Sequence, residues 1–220
     1  MDTYDELPPE SFVIPAPINP RLVIRAHPTS DDAWNQCLDC EVKSILLWYS
    51  AVTSVAHWQT SFILSRTIKG YNACSFNMGF DPDQRPYKDP ADTIRFGHLS
   101  LKLRDGWASQ VMISGSGKAD LSNGVTVTLR DILTLSEEQG LQRFAFSSEN
   151  SGCLCWQFTL MNALVKRGWL DAEVLERFAE YVKKREALPG SKAVIFLPPL
   201  LGFFYTVEEQ AAGEVRITFR

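Results

Sequence analysis

Histidine is scarce. The 220 residues hold only His27, His57 and His98, so imidazole chemistry has three possible addresses. Charge of one sign is missing as well: 22 Lys+Arg against 26 Asp+Glu leave a formal net charge of −4, with no long run of either sign. That balance argues against nucleic acid and against an anionic membrane surface as partners. No apolar run reaches the length of a membrane span, because the best one, 193–205, is broken by Pro198, Pro199 and Gly202. The opening MDTYDELPPE is acidic and proline-rich, the opposite of a basic segment followed by an apolar one. A cytoplasmic location with reduced thiols is therefore expected, and the odd count of five cysteines fits it. Nucleotide and metal motifs are weak. Gly115-Ser116-Gly117-Lys118 is half a phosphate loop without its lead or its hydroxyl, so a turn is expected. Asp81, Asp83, Asp89 and Asp92 lack calcium-loop spacing. Cys37-x-x-Cys40 with Cys153-x-Cys155 is a poor zinc knuckle, so no cofactor and no metal are expected.

What is present divides along the chain. Residues 1–20 carry Pro8, Pro9, Pro15, Pro17 and Pro20, which deny a ladder its donors, so an extended arm is expected there and one domain over 21–220. Residues 21–26 read as a short strand and 28–32 as a turn. Val42, Ile45, Leu46 and Tyr49 have helical spacing, so 39–49 is expected to be helix. Residues 55–65 and 71–80 are β-branched, aromatic and alternating, and they form a hairpin across Thr67, Lys69 and Gly70. In 96–103, His98, Ser100 and Lys102 face one way and Leu99, Leu101 and Leu103 the other. Residues 107–114 are a further strand. Thr128 caps a helix over 129–139, and 142–146 is a strand. A helix starting at Asp171, with Val174, Leu175, Phe178, Tyr181 and Val182 on one face, precedes strands at 194–197, 202–207 and 214–219. Strands first, helices late and strands again predict an α+β fold: a mostly antiparallel sheet with two or three helices.

The most informative stretch is 147–169, SSENSGCLCWQFTLMNALVKRGW. A polar loop runs into a helix whose stripe is Cys153, Trp156, Leu160, Leu164 and Val165. A thiol on a first helical turn faces unpaired N–H groups and the positive end of the dipole, which favour thiolate. With a base nearby that is an activated nucleophile; without one, the cysteine simply packs. His57, at the head of the strongest strand, is the base best placed to serve it.

Ala56-His57-Trp58 at a strand head followed by Gly152-Cys153-Leu154-Cys155-Trp156 at a helix head resembles a fungal domain family of unknown function, patterned N-H-W and later G-C-R-[FY]-W. The order of histidine strand before cysteine helix is also similar to the circularly permuted papain-like proteins, including the lecithin:retinol acyltransferase and NlpC/P60-like groups. The resemblance covers roughly residues 50 to 170. It implies a permuted papain-like fold, with Cys153 as nucleophile, His57 as general base and an orienting group drawn from Asn77, Asn72 or His98. This sequence departs from the pattern in having Ala56 for asparagine and Leu154-Cys155 for arginine and an aromatic.

Two functions are therefore expected to compete. The first is a thiol-dependent acyl transferase or hydrolase acting on a small acyl substrate, with helix-start N–H groups holding the oxyanion. The second rests on the aromatic content. Trp58, Phe62, Trp107 and Trp156, with His98, could line a pocket for an apolar small molecule. A cofactor-free cyclase or pericyclase of the Diels–Alder type in fungal secondary metabolism would use such a pocket by shape, leaving Cys153 as packing. A non-catalytic interaction module has only the proline-rich arm in its favour.

Overall fold

The hairpin at the centre of the chain sets the frame. In the computed structural model, which describes residues 11–15, 23–25, 30–50, 57–79, 95–105, 117–146, 152–186, 202–210 and 214–219, it is built from β4 (His57–Ile68) and β5 (Tyr71–Gly79). Lys69 (φ 49°) and Gly70 (φ 90°) make the turn, where glycine carries the left-handed backbone at no steric cost. Around it lie β2 (Val23–Arg25), β3 (Val42–Ser50), β7 (His98–Asp105) and β8 (Gly117–Asp120), giving a six-stranded sheet of order β2-β7-β5-β4-β3-β8. Every pairing in it is antiparallel except β2 with β7. A second, wholly antiparallel sheet has the order β1-β11-β10-β9-β6, from β1 (Ser11–Pro15), β6 (Arg95–Phe96), β9 (Phe144–Phe146), β10 (Phe203–Glu209) and β11 (Glu214–Phe219).

The described residues contain four helices: α1 (Asp31–Leu38), α2 (Leu129–Glu138), α3 (Cys153–Lys166) and α4 (Glu173–Glu186). The fold is α+β with mostly antiparallel sheets, as expected, with more helix than the two or three elements read from sequence. The main core joins one face of the six-stranded sheet to the helices: Phe62, Phe76 and Leu101 meet Trp34, Ile132, Trp156, Leu160 and Phe178. A smaller cluster of Phe96, Ala145, Tyr205 and Ile217 belongs to the second sheet. Among the described residues no helix is long and apolar enough to cross a membrane.

Local chemistry explains the well-read elements. Thr128 caps α2 through a reciprocal box: its hydroxyl accepts from the Asp131 N–H at 3.1 Å, and the Asp131 carboxylate accepts from the Thr128 N–H at 2.8 Å. Leu129, Ile132, Leu135 and Ser136 then face the core. On α4, Val174, Phe178 and Val182 are buried at helical spacing.

Other readings are corrected. The expected helix over 39–49 is strand β3. Its Ile45 and Leu47 enter the helix-side core while Leu46 and Trp48 are buried on the opposite face, and a strand buried on both sides loses the alternation that marks a strand. The helix lies just before it, and begins within the expected turn: Ser30 accepts from the Ala33 N–H at 3.3 Å, and Asp31 and Asp32 occupy the first turn. The arm is not wholly without an element, because Ser11–Pro15 pairs with β11. It lies at the sheet edge, where Pro15 is tolerated. Gly117-Lys118 is strand rather than turn, and a Cβ at Gly117 would stand 3.0 Å from Phe178 Cδ1 on α4. His27, Trp107 with its expected strand, the aspartate loop, Gly115-Ser116 and the 194–197 strand lie outside the described residues.

Candidate functional site

The ladders decide which side chains share a face, since residues paired across strands point the same way. Trp58 and Phe62 on β4, Phe76 and Met78 on β5, and Leu99 and Leu101 on β7 all enter the helix-side core. The alternate residues lie on the opposite face: His57, Gln59 and Ser61; Ser75 and Asn77; His98, Ser100, Lys102 and Arg104. Apart from an apolar corner of Leu46, Trp48 and Ile63 that face is largely polar, and Gln59, Ser61, Ser75 and Ser100 on it are buried.

Its groups are tied together across four strands. Trp48 Nε1 donates to Ser61 Oγ at 2.9 Å, Ser61 and Ser75 hydroxyls are hydrogen-bonded at 2.7 Å, and Arg104 Nε donates to Ser75 Oγ at 3.1 Å. Beside this chain the half-buried His57 ring donates from Nε2 to Asn77 Oδ1. The bond fixes the ring and its tautomer, leaving Nδ1 without a proton. Burial holds the imidazole below its ordinary pKa, outweighing the opposing effect of Asn77, so His57 is a neutral base at pH 7. His98 stands opposite Gly79, which offers no side chain between the β4 and β7 histidines.

Cys153 sits on the other side of the sheet. Gly152 precedes it with φ 129°, a conformation glycine favours, and a Cβ there would come within 3.0 Å of Phe144 Cζ. No side chain caps this helix start. The backbone N–H groups of Trp58, Leu154 and Cys153 itself favour the thiolate, yet burial is the larger effect and pushes the thiol up. The expected activation by the helix start is thus overridden by desolvation. The β4–β5 ladder stops at Thr60–Phe76 although β4 continues to His57 and β5 to Gly79. On the helix side of this opening, Gln157 Oε1 accepts from Thr60 Oγ1 at 2.5 Å and its Nε2 donates to Trp58 O at 3.2 Å. The structure therefore brings Cys153 to the backbone beside His57, and His57 to Asn77. It does not join the thiol to the imidazole by a hydrogen bond.

Three of the aromatic residues expected around a ligand, Trp58, Phe62 and Trp156, are buried in the core. Phe62 packs edge-on to Phe76 with centroids 4.7 Å apart, Trp58 meets Tyr49 at 5.3 Å and Tyr181 at 5.9 Å, and Trp156 Nε1 donates to Leu141 O at 2.7 Å. Cys37 and Cys74 are buried, and burial lifts the Cys37 thiol to about 11. Among the described residues no three His, Cys, Asp or Glu side chains are grouped to hold a metal ion, so the two cysteine pairs do not assemble into a four-thiolate centre.

Sequence reading missed Gln157, Ser61, Ser75 and Arg104. Gln157 carried a signal, an amide inside an apolar helical stripe one turn after Cys153; buried amides need partners. The serines carried none beyond alternation.

No curated protein and no solved structure matches the chain. Residues 50–205 match the family described as Domain of unknown function (DUF7770), extending past the 50–170 stretch of the motif resemblance to include the start of β10. The chain belongs to that family.

Proposed function

We propose that the chain is a small-molecule enzyme that works by proton transfer at His57 on the polar face of the six-stranded sheet, without a cofactor. The observation that carries this reading is the His57–Asn77 pair: a half-buried, neutral imidazole with one nitrogen held by an amide and the other unprotonated. Such a nitrogen can take a proton from a substrate carbon or hydroxyl and return it elsewhere, the chemistry of an isomerisation or a cyclisation. Ser100, which pairs with Asn77 in the ladder and lies on the same face, supplies a donor for a developing oxyanion.

The thiol-dependent acyl transferase or hydrolase on a permuted papain-like scaffold is the second reading. It is favoured by the thiolate-favouring backbone N–H groups of Trp58, Leu154 and Cys153, the first of them next to His57 in the chain. It requires the imidazole to reach the sulfur through the opening between β4 and β5.

One experiment separates the two. Purified wild type, His57→Gln and Cys153→Ala are incubated with a small-molecule extract of producing cells, and depletion is followed by mass spectrometry. Depletion kept by Cys153→Ala and lost by His57→Gln is the expected result. Loss in both variants transfers the assignment to the thiol mechanism, and no depletion by wild type removes the enzyme reading.

A further inference from the structure

A second feature lies on the other sheet. Phe203 pairs with Ala145 and Phe204 with Phe144, so the next residues, Tyr205 and Arg143, face each other across β10 and the start of β9. The Tyr205 N–H donates to Arg143 O at 3.2 Å, which fixes that register. Their side chains therefore project from the same face. Tyr205 is only 1% exposed, and its hydroxyl has no hydrogen-bond partner. Arg143 Nε is also buried without a partner, and no Asp or Glu among the described residues is ion-paired with the guanidinium.

A buried hydroxyl without a partner costs free energy, and so does the buried Nε–H of Arg143, whose side chain as a whole is half-buried. Arginine cannot escape by losing its proton, and it can only donate. An acceptor at Nε and the hydroxyl satisfies both groups, and the permanent charge of arginine favours a negative one. A carboxylate fits, because it takes an arginine N–H and a phenol O–H together through charge-assisted bonds. The walls around the pair choose the rest of the molecule. Phe96 and Phe219 stand 5.0 and 6.4 Å from the Tyr205 ring, and Ile217, Phe203 and Val207 complete the cluster. Phe203, Val207 and Phe219 are only half-buried, so this apolar surface is open to a ligand.

We infer that Arg143 and Tyr205 form a binding site for an apolar monocarboxylate, a fatty or arylalkyl acid whose carboxylate bridges Arg143 Nε and the Tyr205 hydroxyl while its body lies over Phe203, Val207 and Phe219. The site goes beyond the proton-transfer reading and stands or falls apart from it.

Octanoate is the probe, with octanol and octylamine as controls, read by thermal shift and by isothermal titration on the full chain. Octanoate is expected to raise Tm in a saturable way while the controls do not. Tyr205→Phe is expected to bind octanoate about tenfold more weakly or worse, as loss of a hydrogen bond to a charged group implies. Without ligand, Tyr205→Phe is expected to keep or raise the wild-type Tm, since its hydroxyl satisfies nothing in the free protein. Arg143→Gln is expected to abolish the shift, and His57→Gln to leave it intact. Octanol binding as tightly as octanoate, no wild-type shift at millimolar octanoate, or a lower ligand-free Tm for Tyr205→Phe would each overturn the assignment.

Discussion

Replacing Gln157 by leucine tests how the cysteine helix is fastened to the histidine strand. Gln157 is 0% exposed, and its amide holds the Thr60 hydroxyl at 2.5 Å and the Trp58 carbonyl at 3.2 Å. Leucine keeps most of the volume and removes both bonds. The Thr60 hydroxyl and the Trp58 carbonyl are then left buried without partners, at about 1–3 kcal/mol each. Burying an alkyl group in place of an amide offsets part of this, leaving a net loss of about 2–4 kcal/mol. For a chain of this size that corresponds to a fall in Tm of about 5–15 °C. Urea unfolding followed by far-ultraviolet circular dichroism measures it. A companion variant, Thr60→Val, removes the hydroxyl, and in the double variant one of the two orphaned groups no longer exists. The double variant should lose at least about 1 kcal/mol less than the sum of the singles, the sign of a direct contact. A Gln157→Leu protein within about 0.5 kcal/mol of wild type, the range of an ordinary surface substitution, would refute the fastening argument.

Three further outcomes are expected. Because burial lowers the His57 pKa, the unfolded chain binds more protons than the folded one once the pH drops below about 6.5, the unperturbed value. The contribution is complete above that pH and declines as the pH falls; His57→Gln should flatten the stability loss between about pH 7 and pH 5, and an unchanged slope would count against a desolvated imidazole. Because burial raises the Cys153 thiol, iodoacetamide at about pH 8 should label it at least about tenfold more slowly than a free thiol. Peptide mapping with a Cys153→Ser control reads this, and rapid labelling would revive thiolate activation. Gly202→Ala places a Cβ 1.8 Å from Phe144 Cζ, so the buried ring must move; about 1–3 kcal/mol or more should be lost in urea unfolding, and wild-type stability would refute the close approach.

The legible parts of this protein were the local ones. The β4–β5 hairpin showed as alternation around Lys69-Gly70, α2 as a Thr128 cap followed by an apolar stripe, and α3 as an apolar run after Gly152. Each depends on contacts within a few residues, which periodicity and capping encode directly. The resemblance also offered His57 as base and Asn77, beside Asn72 and His98, as its orienting group, and the fold joins His57 to Asn77 by a hydrogen bond.

Tertiary structure alone decided the rest. Residues 42–50 have helical spacing yet form β3, because a strand covered on both faces shows no period-two signature. A strand near the N-terminus completes a sheet with the last one, a pairing across nearly the whole chain that no local pattern carries. Whether Cys153 meets the His57 ring depends on which side of the sheet each enters. Alternation says that His57 and Trp58 point opposite ways, but only packing of α3 against β4 says which way faces the thiol. The same holds for charge state. A helix start favours thiolate, but burial depends on the residues brought together from distant segments, and here it is the larger effect. Arg143 and Tyr205 likewise become neighbours only through the β9–β10 register.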